Sequence, residues 1–215
     1  MKVNKKPFLW YIINNLKKNG LTDIILSVGY KKEKIKKYFK DGKKFGINIS
    51  YSEEDEPLGT GGAIRKAIIE QIEHENEDIV FLIINGDTFS NIDYFQMYCF
   101  HAKKIITDIP IIMTMAIKFK ENALRYGKVI CDKNNKIIFL EEKETSASGF
   151  VNAGCYIVEK EIINFIDDKC SFEKDVFPKI ISKGLYAFSD GANVYDEFID
   201  IGIPEDYYKF CELMK

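Results

Sequence analysis

The segment Asn85-Gly86-Asp87-Thr88 follows directly on an apolar run over residues 78–84 and sets a carboxylate at the end of what reads as a buried strand. In an open α/β sheet, ligands bind beyond the carboxyl ends of strands. A carboxylate there can hold Mg²⁺ with few protein ligands, which leaves positions for water and phosphate oxygens. Gly86 lets the backbone turn without a Cβ in the way. Asn, Gly and Asp are also ordinary turn formers, so these residue types divide evenly between a site and a plain turn.

A second segment, Pro57-Leu58-Gly59-Thr60-Gly61-Gly62-Ala63, opens a helix. Backbone N–H groups and the helix dipole face whatever sits at such a start, and the glycines allow a flat base to lie close to the backbone. The spacing is neither a P-loop nor a dinucleotide fingerprint, and a flexible helix start explains it as well. A third segment, residues 198–207 (F-I-D-I-G-I-P-E-D-Y), places Asp200 at the end of a short apolar run, with Pro204 starting the last helix. Asp200 could complete a metal site begun by Asp87; helix capping is the simpler reading. A fourth group is Glu142-Lys143 with Asn152 and Gly154 further on. A Glu can bind sugar hydroxyls, a Lys a phosphate, and Asn and Gly interrupt an apolar strand where a ligand could approach. A surface charge pair and a β-bulge read equally plainly.

The elements that must position these residues follow from periodicity. Helices are expected over residues 7–18, 31–39 and 60–69, strands over 23–28, 47–51 and 78–84, the last apolar enough to be buried on both faces. This alternation implies a parallel sheet with crossover helices. From residue 109 the character changes: strands over 109–117, 128–131, 136–140 and 150–158, a hairpin turn at Asn134-Asn135, then helices over 160–166, 172–182 and 204–214. One domain over 1–215 is expected, with a nucleotide half to about residue 108 and a sugar half after it. His74 falls in a polar loop and His101 on a surface helix; neither has a triad neighbour.

The chain has 215 residues, 46% apolar and 30% charged, with net charge −2. It is long enough for a buried core, and the charge argues against nucleic acid, whose phosphates call for a basic face. No apolar run is long enough for a membrane span or a signal peptide. The five cysteines are scattered with no C-x-x-C, which fits a reduced, cytoplasmic protein without a zinc site.

Taken together the segments resemble the sugar-1-phosphate nucleotidyltransferase family, closest to the short bacterial guanylyltransferases acting on D-glycero-D-manno-heptose 1-phosphate or mannose 1-phosphate. The stations occur in family order over essentially the whole chain: K-P-F-L at 6–9, E-P-L-G-T-G-G-A at 56–63, N-G-D-T at 85–88, Y-G at 126–127, E-K at 142–143, N-A-G at 152–154 and F-I-D-I-G-I-P-E-D-Y at 198–207. The resemblance implies a Rossmann-like three-layer α/β/α fold with a mixed, mainly parallel central sheet. It implies a sugar 1-phosphate attacking the α-phosphate of an NTP, GTP foremost, with pyrophosphate leaving. Asp87 and Asp200 would hold Mg²⁺; Leu58, Gly59, Thr60, Gly61, Gly62 and Gly86 would bind nucleotide; Lys143 would meet the sugar phosphate; and Gly127, Glu142, Asn152 and Gly154 would line the sugar pocket. Partners are then the NTP and the sugar 1-phosphate, with no nucleic acid and no membrane, and a homo-oligomer is left open.

The sequence departs from the family in one respect. The first strand and its G-G-x-G-T-R-L loop are not found, and of P-K-P only Lys6-Pro7 remains. Loss of a central strand of about five apolar side chains would forfeit about 7–15 kcal/mol of burial and leave sheet edges unpaired. The alternative to an active enzyme is therefore a truncated or degenerate member that binds a sugar nucleotide or a protein partner without turnover. A related glycosyltransferase is a further alternative, disfavoured because the strand ends in N-G-D rather than D-x-D.

Overall fold

The computed structural model describes residues 1–72, 79–141, 148–191 and 198–215. Two compact units emerge, one made of residues 1–15, 82–158 and 181–215, the other of 16–81 and 159–180. This division does not follow the halves expected on either side of residue 108. Long-range pairing draws it: the strand ending at Ile84 joins the strand that carries Asn152.

In the first unit β1 (Lys2–Val3) and β2 (Lys6–Pro7) form a small hairpin ahead of α1 (Phe8–Lys18), which continues into the second unit. Phe8, Ile12, Ile13 and Leu16 bury one face of α1, and Lys17 and Lys18 in its last turn suit the helix dipole. Pro7, expected in the helix, instead pairs with Lys2 at the open end of the hairpin, and the Lys6 ammonium sits 3.5 Å from the Trp10 ring centroid.

The second unit holds a parallel pair, β3 (Asp23–Val28) and β4 (Asn48–Glu53), with α2 (Lys32–Phe39) between them in sequence, as a parallel crossover requires. Next comes α3 (Gly59–Ile72). β5 (Val80–Ile84) leads back to the first unit, where β6 (Thr88–Ser90) and α4 (Tyr94–Ile106) follow.

The main sheet of the first unit comprises β7 (Met113–Lys120), β8 (Lys128–Cys131), β9 (Ile137–Glu141), β10 (Gly149–Glu159) and, after α5 (Phe177–Gly184) of the neighbouring segment, β11 (Leu185–Phe188). Its order is β11-β7-β10-β8-β9, with β5 on β10. β12 (Phe198–Asp200) pairs with β6, and α6 (Pro204–Leu213) ends the chain. The core of this sheet holds Met113, Met115, Val151, Val158 and Leu185, all fully buried, and Thr114 and Lys118 of β7 are buried as well. The fold is α/β with a mixed sheet. β3–β4 and β11–β7 run parallel, whereas β7–β10, β10–β8, β8–β9 and β6–β12 run antiparallel, so the described registers lean further to antiparallel pairing than the expected mainly parallel sheet.

Four further expectations change. β5 is half-buried along its whole length rather than buried on both faces, because among the described strands it has a neighbour on one side only, β10. His101 is not on a surface: it is fully buried, with Nδ1 2.8 Å from the Thr114 hydroxyl, because α4 turns Tyr94, Met97 and His101 toward β7. The helix expected over 160–166 is a 3-10 segment, Lys160–Phe165, and that over 172–182 begins as a wider π turn, Phe172–Val176. His74 lies outside the described residues. All five cysteines are free thiols.

Candidate active site

Asp87 follows the Asn85-Gly86 turn at the carboxyl end of β5, and the antiparallel pairing of β6 with β12 sets Asp200 opposite Thr88. The Ile201 amide donates to the Asp87 carbonyl at 3.1 Å. Two acidic residues more than a hundred positions apart thus flank one strand pairing, Asp200 ending β12 and Asp87 immediately preceding β6. The Thr88 hydroxyl donates to Asp87 Oδ1 at 3.2 Å, and the Gly202 amide to Asp200 Oδ1 at 2.8 Å. Asp87 and Gly86 are exposed and Asp200 half-buried. Among the described residues no cluster of three or more His, Cys, Asp or Glu could hold a metal ion. A pair of carboxylates open to solvent is nevertheless a hard-oxygen donor set of the kind Mg²⁺ accepts when phosphates and waters complete its shell.

The strand that bears Asp200 is held by groups to which the motif reading gave no such role. Lys120 at the end of β7 donates through Nζ to the Phe198 carbonyl at 2.7 Å and lies over the Phe198 ring. Burial is the main cause that lowers the Lys120 ammonium from its usual range, with Lys209 second. The Tyr126 ring rests against Phe198, and Arg125 pairs with Asp206 in the first turn of α6 at 2.7 Å. That hydrogen bond raises the Arg125 guanidinium further. In sequence Lys120 and Arg125 were unremarkable polar residues ahead of Y-G; only their distant partners give them a role.

The candidate sugar-side residues are tied into the same unit. The Asn85 amide donates to the Gly154 carbonyl at 2.8 Å. Gly154 has φ +67°, and a Cβ there would lie about 3.0 Å from the Asn85 side chain. The Asn152 side chain accepts from the Gly154 amide at 2.9 Å and donates to the Tyr156 hydroxyl at 2.7 Å, across an irregularity in the β7–β10 register. Close approach at this interrupted strand is therefore made by the protein's own Asn85. Gly127 lies against the Glu141 carbonyl, which a Cβ would meet at 2.8 Å. Glu142 and Lys143, next in sequence, lie outside the described residues.

The glycine-rich segment belongs to the second unit, at the start of α3. Here the glycines face the chain itself. A Cβ on Gly59 would come 2.4 Å from the Cys170 carbonyl oxygen, one on Gly61 2.5 Å from Cys170 Sγ, and one on Gly62 2.2 Å from the Asp168 carbonyl oxygen. The Gly61 amide donates to the Cys170 carbonyl at 2.9 Å, the Cys170 amide to the Leu58 carbonyl at 3.0 Å, and the Phe172 amide to the Thr60 hydroxyl at 2.9 Å. Arg65 of α3 pairs with Asp168 at 3.2 Å. Residues 168–172 form a strap bonded along the helix start, and the glycines are what lets it close.

Residues 1–214 match the family model described as nucleotidyl transferase. The chain belongs to the nucleotidyl transferase family. This family member is 39% identical over 209 residues to the D-glycero-alpha-D-manno-heptose 1-phosphate guanylyltransferase of Campylobacter jejuni, covering 97% of the chain and 86% of the relative. It is 41% identical over 211 residues to the enzyme of the same name from Aneurinibacillus thermoaerophilus, covering 96% and 84%. Among solved structures it matches HddC from Yersinia pseudotuberculosis complexed with GMP-PN, with a TM-score of 0.81 and 34% identity over 100% of the chain and 88% of that structure. No helix among the described residues is long and apolar enough to cross a membrane.

Proposed function

We propose that the chain transfers the guanylyl group of GTP to a heptose 1-phosphate in the cytoplasm, releasing pyrophosphate and supplying a GDP-sugar for capsule- or lipopolysaccharide-type glycans. The observation that carries the reading is the adjoining placement of Asp87 and Asp200 at the ends of β6 and β12. The choice of base and sugar rests on the two heptose 1-phosphate guanylyltransferases and on the nucleotide-bound relative.

In the reaction an oxygen of the sugar 1-phosphate forms a bond to the α-phosphorus of GTP, in line with the bond that breaks to the β-phosphate. The electron pair of that bond leaves with pyrophosphate. Such chemistry depends on alignment and charge neutralisation more than on a protein nucleophile. Asp87 and Asp200 would hold Mg²⁺, which when bound neutralises phosphate charge. Leu58, Gly59, Thr60, Gly61, Gly62 and Gly86 are the residues assigned to the nucleotide. Lys143 would meet the sugar phosphate, and Gly127, Glu142, Asn152 and Gly154 the sugar.

The test is to incubate the protein with Mg²⁺, GTP and D-glycero-D-manno-heptose 1-phosphate, measuring pyrophosphate and GDP-heptose, with mannose 1-phosphate and the other NTPs in parallel. GDP-heptose made faster than any other product supports the proposal. A folded protein that binds GTP or GDP-sugar but releases no pyrophosphate from any combination overturns it in favour of a binding module.

A further inference from the structure

Where β5 ends against β10, two asparagines are used in opposite ways. Asn152 is spent on the protein itself. Its carbonyl oxygen accepts from the Gly154 amide at 2.9 Å, and its amide nitrogen donates to the Tyr156 hydroxyl at 2.7 Å. Asn85 is bonded only through its backbone: its amide donates to the Gly154 carbonyl at 2.8 Å, and its carbonyl accepts from the Thr88 amide at 3.4 Å. Its carboxamide has no hydrogen-bonding partner among the described residues. The side chain is nevertheless held in place. It lies along Gly154, whose missing Cβ would meet Asn85 Nδ2 at 3.0 Å and Asn85 Cβ and Cγ at 3.1 Å. The residue is half-buried, between an exposed Gly86 and the strand β5.

Neither turn formation nor packing accounts for an asparagine in this place. A turn-forming asparagine bonds nearby backbone through its side chain, whereas here the main chain closes the turn and the carboxamide takes no part. An apolar side chain would fill the space over Gly154 without bringing a polar group that goes unpaired on the protein. We propose that Asn85 reads a ring hydroxyl of the sugar 1-phosphate and so determines which sugar is accepted, an inference that rests on the guanylyltransferase reading above. A carboxamide offers a donor and an acceptor, and a hydroxyl answers both. The backbone places the residue where such a reader belongs. It is bonded to Gly154 of the strand assigned to the sugar, and it precedes by two residues Asp87, assigned to the metal that gathers the phosphates. Being uncharged, it recognises a hydroxyl there without repelling the phosphates. A site built to bond a hydroxyl discriminates against the analogue that lacks it, because its own polar group is then left unpaired.

Steady-state kinetics on Asn85→Ala beside the wild type test the proposal, with D-glycero-D-manno-heptose 1-phosphate and with analogues that each lack one ring hydroxyl. Asn85 has no positive φ and its side chain has no partner to lose, so the variant should melt as the wild type does. Should it melt early, Asn85→Leu, which keeps the packing on Gly154, serves in its place. The variant's kcat/KM for the heptose 1-phosphate should fall by about 10–100-fold, with the KM for GTP unchanged. One analogue should cost the wild type a similar factor and cost the variant almost nothing, since the hydroxyl it lacks is the one Asn85 reads. A merely structural role would not produce that coupling. Equal penalties in both proteins for every analogue, an undiminished kcat/KM in the variant, or a loss that falls as heavily on GTP overturns the inference and leaves the guanylyltransferase reading standing. A wild type that releases no pyrophosphate with any sugar phosphate overturns that reading, and this inference with it.

Discussion

The Ile201 amide and the Asp87 carbonyl are joined by a hydrogen bond of 3.1 Å, and this one bond fixes the last turn of β12 against the loop that leaves β5. It makes Asp200 a neighbour of Asp87, although each reaches that place from a different part of the chain. If the two carboxylates share a metal ion, removing either charge should remove the activity while leaving the strand pairing intact. Asp87→Asn and Asp200→Asn should each lower Mg²⁺-dependent pyrophosphate release by about 10²–10³-fold, with thermal melting near that of the wild type. Full activity in either variant would end the metal assignment.

The glycines of one family motif should behave unlike the glycine of another. Gly62→Ala drives a methyl group to within 2.2 Å of the Asp168 carbonyl oxygen, backbone that yields only if the strap moves. The expected loss in urea denaturation is about 1–3 kcal/mol. Gly86 has nothing within 4 Å of its would-be Cβ and no positive φ, so Gly86→Ala should stay within about 0.5 kcal/mol of wild type.

Lys118 and Asp190 form an ion pair of 2.8 Å with side chains only 8% and 12% exposed. Leaving one charge of such a pair without the other is strongly unfavourable. Lys118→Met should cost about 3–5 kcal/mol, and adding Asp190→Leu should recover a large part of it. A double variant no more stable than the single one would show that Asp190 serves mainly the Asp93 amide rather than Lys118.

Hydrogen bonds from Lys36 and then Lys32 hold the Glu53 carboxyl below its usual range. A carboxyl lowered in the folded state contributes stability above its unfolded value, and that contribution is lost as pH falls through the folded value. Glu53→Gln should therefore flatten the acid side of a stability-versus-pH profile below about pH 4.3 and leave its neutral side parallel to wild type. Urea titrations at stepped pH would read this directly.

What the sequence disclosed was governed by local rules. Asp87 and Asp200 stood out because each follows an apolar run, and strand ends are where such sheets place ligands. The helices and strands with strong periodicity, α1, β3, α2 and β10 among them, were found within a few residues. Other features escaped because their causes are non-local. The four-residue β11 is too short to show a period. His101 reads as surface because nothing local says which side of α4 meets β7. Nothing in L-G-T-G-G-A itself names residues 168–172 as its neighbour, since Thr60 and Phe172 are 112 positions apart. Lys120 and Arg125 gain meaning only from Phe198 and Asp206, which lie on elements that follow much later.

The bonded strap over the start of α3 also has a hereditary consequence. Because Gly61 and Cys170 touch through both backbone and sulfur, a larger residue at either position must be matched by retreat at the other. The two stretches should therefore drift through evolution as a linked pair. Diversity at the helix start will be set as much by the loop that covers it as by any molecule it receives.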